Sequence, residues 1–504
     1  MEVNNSVSSK DAASIKEVKE RIEVAGVAPE PVTVDVNVEK SICLKLDTCL
    51  FNIRPLLTLM YLCNALDKGN VANAKTDGRY YSRYGHRPWL RGNQYNVLLS
   101  VFFVPFVLSA FPVTVVGKIY EPSLVLPLLM LSFGAMTLLM AATQNFAGMM
   151  TVRWFLGMAE SGFFPLVIYY LTTFYRRGEL ARRLGFFYAA FNVASAFSGL
   201  LSFGVFQLHS GSLQAWRYLF LIEGAAAILI SAVAYCILPR SPATARFLSK
   251  EERIQATLRI QHDSSAIIDE KLSLRDALRV FLHPVAWVWM SIEIFMGIPM
   301  QSVALFLPQI VQRLGYGTVK TNLFTVAPNV AGAVALIVLA YISDYTRLRF
   351  AYLALALVFP FVGFILYATL DLNNQLNIAY FATFLMCMGS SAPSVLLATW
   401  YNNNTPGEGR CSALTAVGIP LGNLMGVVTS NIFLPKDAPT YMPALVTSAV
   451  SSGLGVLTAL LLGVWMHWDN WQRNICSGEV LRVEDVSTEA LHEGPDNPSF
   501  RWFL

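Results

Sequence analysis

Charge is scarce in this chain. Asp, Glu, Lys and Arg make up only 14% of its 504 residues, where a soluble domain is nearer a quarter charged. That excludes an ordinary water-facing surface over most of its length. The formal net charge is only +4, and no basic run is long enough for a nucleic-acid arm, so no nucleic-acid partner is expected. The seven cysteines (43, 50, 63, 236, 387, 411 and 476) show no CxxC spacing and read as packing residues, not a disulfide framework. P-loop, HExxH and GxSxG patterns are missing, as is any paired Cys/His set. These absences exclude ATP-driven chemistry, and no enzyme activity, catalytic residue, metal or cofactor is expected. The N-terminus lacks a charged-then-apolar leader, and residues 1–45, charged and poor in aromatics, are expected to be disordered.

What is present is apolar. Hydrophobic residues are 55% of the chain, and the mean hydropathy is +0.48. A helix crossing about 30 Å of hydrocarbon needs roughly 20 apolar residues. Twelve such stretches run approximately over 54–74, 94–116, 123–143, 146–174, 184–207, 215–238, 284–309, 322–343, 351–370, 376–399, 411–434 and 441–467. A polar, basic break at 239–283 separates the first six from the last six. The sequence therefore predicts an all-α membrane protein, with twelve transmembrane helices in two six-helix bundles. The expected organisation is a cytosolic tail (1–52), a first bundle (53–238), a cytosolic loop (239–283), a second bundle (284–467) and a cytosolic tail (468–504). With both termini cytoplasmic, the inside loops carry sixteen Lys and Arg and the outside loops eight, the sign the positive-inside rule requires. The first outside loop, 75–92, is an anomaly: it is basic and aromatic. It reads either as an anion-attracting vestibule or as an ordinary surface loop.

The segment RWFLGMAESGFFP, Arg153 to Pro165, places a cation and a carboxylate seven residues apart in an apolar helix. Arg153, Gly157 and Glu160 share one helix face. Ionisable groups at membrane depth are costly and usually functional. Of the two, only Glu160 can exchange a proton near neutrality. It reads as a proton-coupling group with Arg153 as its charge partner, or the two form a structural salt bridge. Glu293, in the middle of the seventh stretch, has no neutralising neighbour in sequence. It faces either a cavity or a partner on another helix, with Gln301 two turns on and roughly on its side. Asn192, Asn329 and Asn423 place amides in helices 5, 8 and 11, to bind a polar ligand or a neighbouring helix. Pro165 in the fourth stretch and Pro393 in the tenth give a weak echo between the halves.

These features resemble the major facilitator superfamily. Within it the chain is similar to the anion:cation symporter family, in particular its fungal allantoate permease-like branch. The resemblance spans roughly residues 50–470. It rests on YLCNALDKGNVANAK (Tyr61 to Lys75), RWFLGMAESGFFP with RRGELARR (Arg176 to Arg183), WRYLFLIEG (Trp216 to Gly224), TWYNNN (Thr399 to Asn404) and GNLMGVVTSNIFLPKDAPTY (Gly422 to Tyr441). The chain departs from the pattern where Ala110 and Phe111, not Glu, precede Pro112, and where Lys68 replaces the usual first-helix Arg.

The resemblance implies a proton-coupled secondary transporter of a small organic anion, a vitamin-like carboxylate, working by alternating access. Its partners would be that carboxylate, protons and the lipid bilayer. The chain would be a monomer in the plasma membrane. Lys68, Asn70, Glu293, Gln301 and Asn423 would contact substrate, and Glu160 with Arg153 would couple protons. For Lys68 the plainer reading is local charge balance with Asp67. Asp344, Arg347 and Arg349, with Glu179 and Arg183, would form a cytoplasmic gate, or simply reflect inside-positive topology. A proton-antiport exporter and a non-transporting nutrient sensor are the alternatives.

Overall fold

A computed structural model of the chain describes residues 41–42, 45–46, 53–76, 93–175, 177–207, 214–263, 278–370, 374–405, 408–438, 440–478, 481 and 494–504. Most of the N-terminal tail and of the basic loop 75–92, and the central 264–277, lie outside the described residues. Every regular element among the described residues is helical. Twelve long helical stretches follow one another: α1 (Ile53–Thr76), α2 (Gln94–Ile119), α3 (Pro122–Ala142), α4 (Phe146–Ser161 and Phe163–Thr172), α5 (Arg177–Phe206), α6 (Ala215–Ile237), α7 (Pro284–Gln312), α8 (Thr318–Phe324 and Val326–Thr346), α9 (Arg349–Thr369), α10 (Leu376–Met388 and Ala392–Asn404), α11 (Glu408–Ile432) and α12 (Met442–Ser477). The starts and stops are local chemistry. Pro122, Pro284 and Pro443 sit in first turns, where a missing N–H costs nothing. The Asn145 side chain accepts a hydrogen bond from Gly148 N at 2.7 Å at the start of α4. Gly478, left-handed at φ 70°, ends α12.

Ten of these stretches are long and apolar enough to cross a membrane. α1 falls short because Asn64, Asp67, Lys68, Asn70 and Asn73 interrupt it, and only Ala190–Phe206 of α5 is a comparable apolar run. The polarity is arranged inside out. Leu108, Leu229, Val334 and Val464 are exposed, while Asp67, Arg153, Glu160, Glu223 and Glu293 are buried. That distribution suits hydrocarbon outside and a polar interior.

Packing repeats with a shift of six helices. α3 packs on α6 as α9 does on α12; α2 on α4 as α8 on α10; α1 on α5 as α7 on α11; α1 on α6 as α7 on α12. The two bundles meet where α2 lies on α11, α5 on α8, and α1 on α7. α4 and α10 are both broken: after Gly162, three residues before Pro165, and across Gly389–Ser391, just before Pro393. The echo in sequence thus marks two equivalent helix breaks.

Two differences from the expected spans have clear causes. α5 begins seven residues early, because RGELARRL is helical although charged. α12 continues ten residues past 467, and residues 494–504 fold back onto it. Trp502 Nε1 donates to Asp469 Oδ2 at 2.7 Å, its N–H and carbonyl bond the Asn470 amide, and its ring is 1% exposed. Phe503 exchanges two hydrogen bonds with the Asn404 amide and accepts a third from Trp400 Nε1. Nearer the N-terminus, Lys45 pairs with Glu252 at 2.7 Å and ties the start of the chain to the helix Lys250–Asp263 of the central loop.

Candidate functional site

Between the bundles lies a cavity. From the first bundle it takes Tyr61, Asn64 and Lys68 of α1, aromatic residues of α2, and Arg153, Glu160 and Ser161 of α4. From the second it takes Glu293 and Gln301 of α7, Ser391 and Ser394 of α10, and Asn423 of α11. The breaks in α4 and α10 both adjoin it. Discontinuous helices at the midplane are where secondary transporters place their ligand.

The first-bundle wall carries linked charges. Lys68 Nζ lies 3.9 Å from Glu160 Oε2 and 4.9 Å from the centre of the Phe106 ring. Arg153 rests over Phe102, with Cζ 5.8 Å from the ring centre. Glu160 makes no well-formed hydrogen bond among the described residues, although Asn64 and Asp67 both face it. Asp67 does not line the cavity: Thr137 Oγ1 on α3 donates to its Oδ2 at 2.5 Å, and Arg153, Glu160 and Lys68 all act on it. The local Asp67–Lys68 balance is therefore part of a larger cluster in which Lys68 reaches Glu160. Gly157, on the same face as Arg153 and Glu160, lies against the Phe102 carbonyl and Pro105, so α2 and α4 touch there without side chains between them.

The second-bundle wall carries a lone carboxylate. Glu293 is 2% exposed, and no ion pair to it exists among the described residues. Gln301 Nε2 donates to Asn423 Oδ1 at 3.2 Å, so these two amides form one polar patch.

Lys68, Arg153, Glu160, Glu293, Gln301 and Asn423 are thus brought to one cavity. Asn70 is not. It is fully buried beside the cavity and donates to Glu223 of α6, so it serves helix packing, as does Glu223. The reason is register: Asn70 lies two residues past Lys68, on the side of α1 that faces α6. Asn192 accepts from Ser391 Oγ at 2.8 Å across the bundles, and Asn329 bonds the Thr325 carbonyl in its own helix. Asp344 Oδ1 accepts from Arg349 Nη2 at 2.7 Å, and Arg349 Nη1 donates to Thr399 on α10 at 3.1 Å. This joins three helices of the second bundle at one end. Arg347, at φ 59°, caps α8. The side chains of Glu179 and Arg183 lie outside the described residues. Sequence reading missed Tyr61 and Asn64. Lying seven and four residues before Lys68, they share one helix face with it, a signal that was available.

At one end the bundles are closed on each other. Asn96 Nδ2 donates to the carbonyls of Ser430 and Phe433 at 2.6 and 2.9 Å, Asn431 Nδ2 to Ser100 Oγ at 3.2 Å, and Gln309 Nε2 to Tyr95 Oη at 3.4 Å. Gly199 of α5 lies against the Asn322 carbonyl of α8 in the same way.

The Major Facilitator Superfamily model matches residues 57–430. The chain belongs to the Major Facilitator Superfamily. It is similar to an uncharacterized transporter of Schizosaccharomyces pombe, 51% identical over 95% of this chain and 93% of that one. It is also similar to a high-affinity nicotinic acid transporter of Saccharomyces cerevisiae, 29% identical over 81% of this chain and 74% of that one. The fold matches a crystal structure of a bacterial homologue of the human lysosomal transporter Spinster, with TM-score 0.59 and 14% identity over 81% of this chain and 95% of the other. As a Major Facilitator Superfamily member, this chain is a multi-pass membrane transporter and not an enzyme.

Proposed function

We propose that this transporter carries a small organic anion together with a proton, as a symporter of the anion:cation, allantoate permease-like branch. The carrying observation is the 3.9 Å pairing of Lys68 with Glu160 in the cavity wall. A substrate carboxylate needs a cation, and Lys68 supplies one as a point charge. Glu160 competes for it. When Glu160 takes a proton it gives up its claim on Lys68, and the anion binds more tightly. Reciprocally, bound anion makes Glu160 easier to protonate. That mutual dependence is a coupling free energy between two ligands. In an alternating-access cycle it makes proton and anion travel together. Arg153, held on Phe102 behind the pair, keeps the deprotonated cluster from carrying uncompensated negative charge. The similarity to a nicotinic acid transporter supports a carboxylate of that size.

In this reading the termini are cytoplasmic, the membrane is the plasma membrane, and the closed end of the bundles is the external one. Asp344, Arg349 and Thr399 then lie at the cytoplasmic end, where their bonds hold α8, α9 and α10 as one body.

The test is uptake of radiolabelled nicotinate, pantothenate, biotin and allantoate by cells expressing the chain, at external pH 5 and 7.5. One compound is expected to accumulate, faster at pH 5. Glu160→Gln, a permanent mimic of the protonated acid, is expected to exchange that compound across the membrane without accumulating it and with no pH dependence. Accumulation by Glu160→Gln that still rises at pH 5 would refute the coupling role. No uptake by surface-expressed protein would refute import of these four compounds.

A further inference from the structure

The cavity has two unlike walls. On the first-bundle wall the cation Lys68 is already paired with Glu160, and Arg153 stands beside them. On the second-bundle wall stands Glu293, buried and without an ion pair among the described residues. A buried carboxylate left alone is unfavourable by several kcal/mol, so such a group is kept where something neutralises it.

Glu293 lines the cavity, with its carboxylate set against α11. The facing helix α11 presents two glycines, Gly418 and Gly422. A Cβ at these positions would come within 3.3 Å of Oε1 and 3.0 Å of Oε2 respectively. α11 offers the carboxylate space, not a partner. One turn and two turns further along lie Met296 and Met300, soft and adaptable in shape, and then the Gln301–Asn423 amide pair. Among the described residues lining this wall the only charged group is Glu293, and its neighbours are neutral.

We propose that the ligand is a zwitterion, its carboxylate held by Lys68 on the first bundle and a cationic nitrogen held by Glu293 on the second. This rests on the carboxylate reading above and narrows it. The Gln301–Asn423 patch accepts the ligand's remaining polar atoms. A ligand of this kind bridges the two bundles. It is held best when both walls approach it together, so its binding energy favours closure around the cavity over either open form. A plain carboxylate would engage one wall only and leave Glu293 uncompensated. Unlike the Glu160–Lys68 pair, Glu293 acts here in recognising the ligand and not in competing for it.

The purified full chain in lipid nanodiscs is titrated with matched carboxylates, and binding is followed by thermal stabilisation. Two sets serve: benzoate, nicotinate and N-methylnicotinate; and hexanoate against 6-aminohexanoate. In at least one set the cation-bearing member is expected to bind about tenfold or more tighter than its uncharged match, the scale of a desolvated charge pair. Glu293→Gln is expected to bring that ratio towards one, Glu293→Asp to keep a preference, and Lys68→Gln to weaken both members. The wild-type comparison needs no variant, so it decides the matter even if Glu293→Gln does not fold. Equal binding of charged and uncharged members in both sets overturns the zwitterion and leaves the carboxylate reading standing. An unchanged ratio in well-folded Glu293→Gln overturns the role of Glu293. Binding of no carboxylate at all overturns both readings.

Discussion

A methyl group added at Gly157 would collide with the backbone carbonyl of Phe102, and backbone cannot swing away as a side-chain tip can. Gly157→Ala must therefore push α4 off α2 beside Arg153 and Glu160. Gly204 near the end of α5 is the opposite case, with nothing within 4 Å of its virtual Cβ. Alanine there only removes backbone freedom, worth about 0.5–1 kcal/mol in favour of the helix. Thermal melting of the two variants in detergent should move in opposite directions, down for Gly157→Ala and slightly up for Gly204→Ala. At this scale the sequence was informative wherever chemistry is costly. An Arg, a Lys and two Glu in apolar helices stand out because hydrocarbon penalises them, and four of them, Lys68, Arg153, Glu160 and Glu293, do line one cavity. Asn70 was misplaced because an amide is cheap enough to serve packing, and only its neighbour Glu223, 153 residues away, reveals which use it has.

Single elements carry more than their hydropathy suggests. α1, one of the twelve stretches read as spans, is interrupted by Asn64, Asp67, Lys68, Asn70 and Asn73, and these turn to α3, α5, α6 and the cavity. α4 and α10 break beside the cavity, at glycines packed against Val113 of α2 and Pro360 of α9. The segment 494–504 belongs to what the sequence predicts as a cytosolic tail. In the fold, Trp502 and Phe500 are buried under the end of α12, and Asn404 and Trp400 of the TWYNNN run bind its backbone. Asn404 is explained by this docking. Trp502→Ala removes a buried ring and its hydrogen bond to Asp469, and keeps the backbone bonds to Asn470. It is expected to lower stability by about 3–5 kcal/mol, as for other buried Trp to Ala changes, seen as a lower melting temperature in detergent-solubilised protein. An unchanged melting temperature would mean that the segment does not dock in the membrane protein.

Across the whole molecule, the six-helix shift in packing sets two bundles around a shared cavity. One end is closed by hydrogen bonds from α2 and α7 to their cross-bundle neighbours. A disulfide between Ser100→Cys and Asn431→Cys, whose side chains meet at 3.2 Å, would hold that end shut. Transport by the double variant is expected to stop under oxidation and return with a reducing agent, while either single variant stays active. Continued transport by fully crosslinked protein would show that this end need not open.

The sequence by itself determined the environment, the number of helices and the superfamily, because hydrocarbon thickness and the cost of buried charge write long-range facts into short stretches of chain. It also named the ionisable groups of the cavity, for the same reason. Only the tertiary structure decided which of those groups meet: Lys68 with Glu160 on one wall, Glu293 alone on the other, Arg349 on Asp344. Such pairings depend on helix rotation and on which helices are neighbours. A helix period fixes faces within one element, but the contact between two elements far apart in the chain is set by packing of the whole bundle.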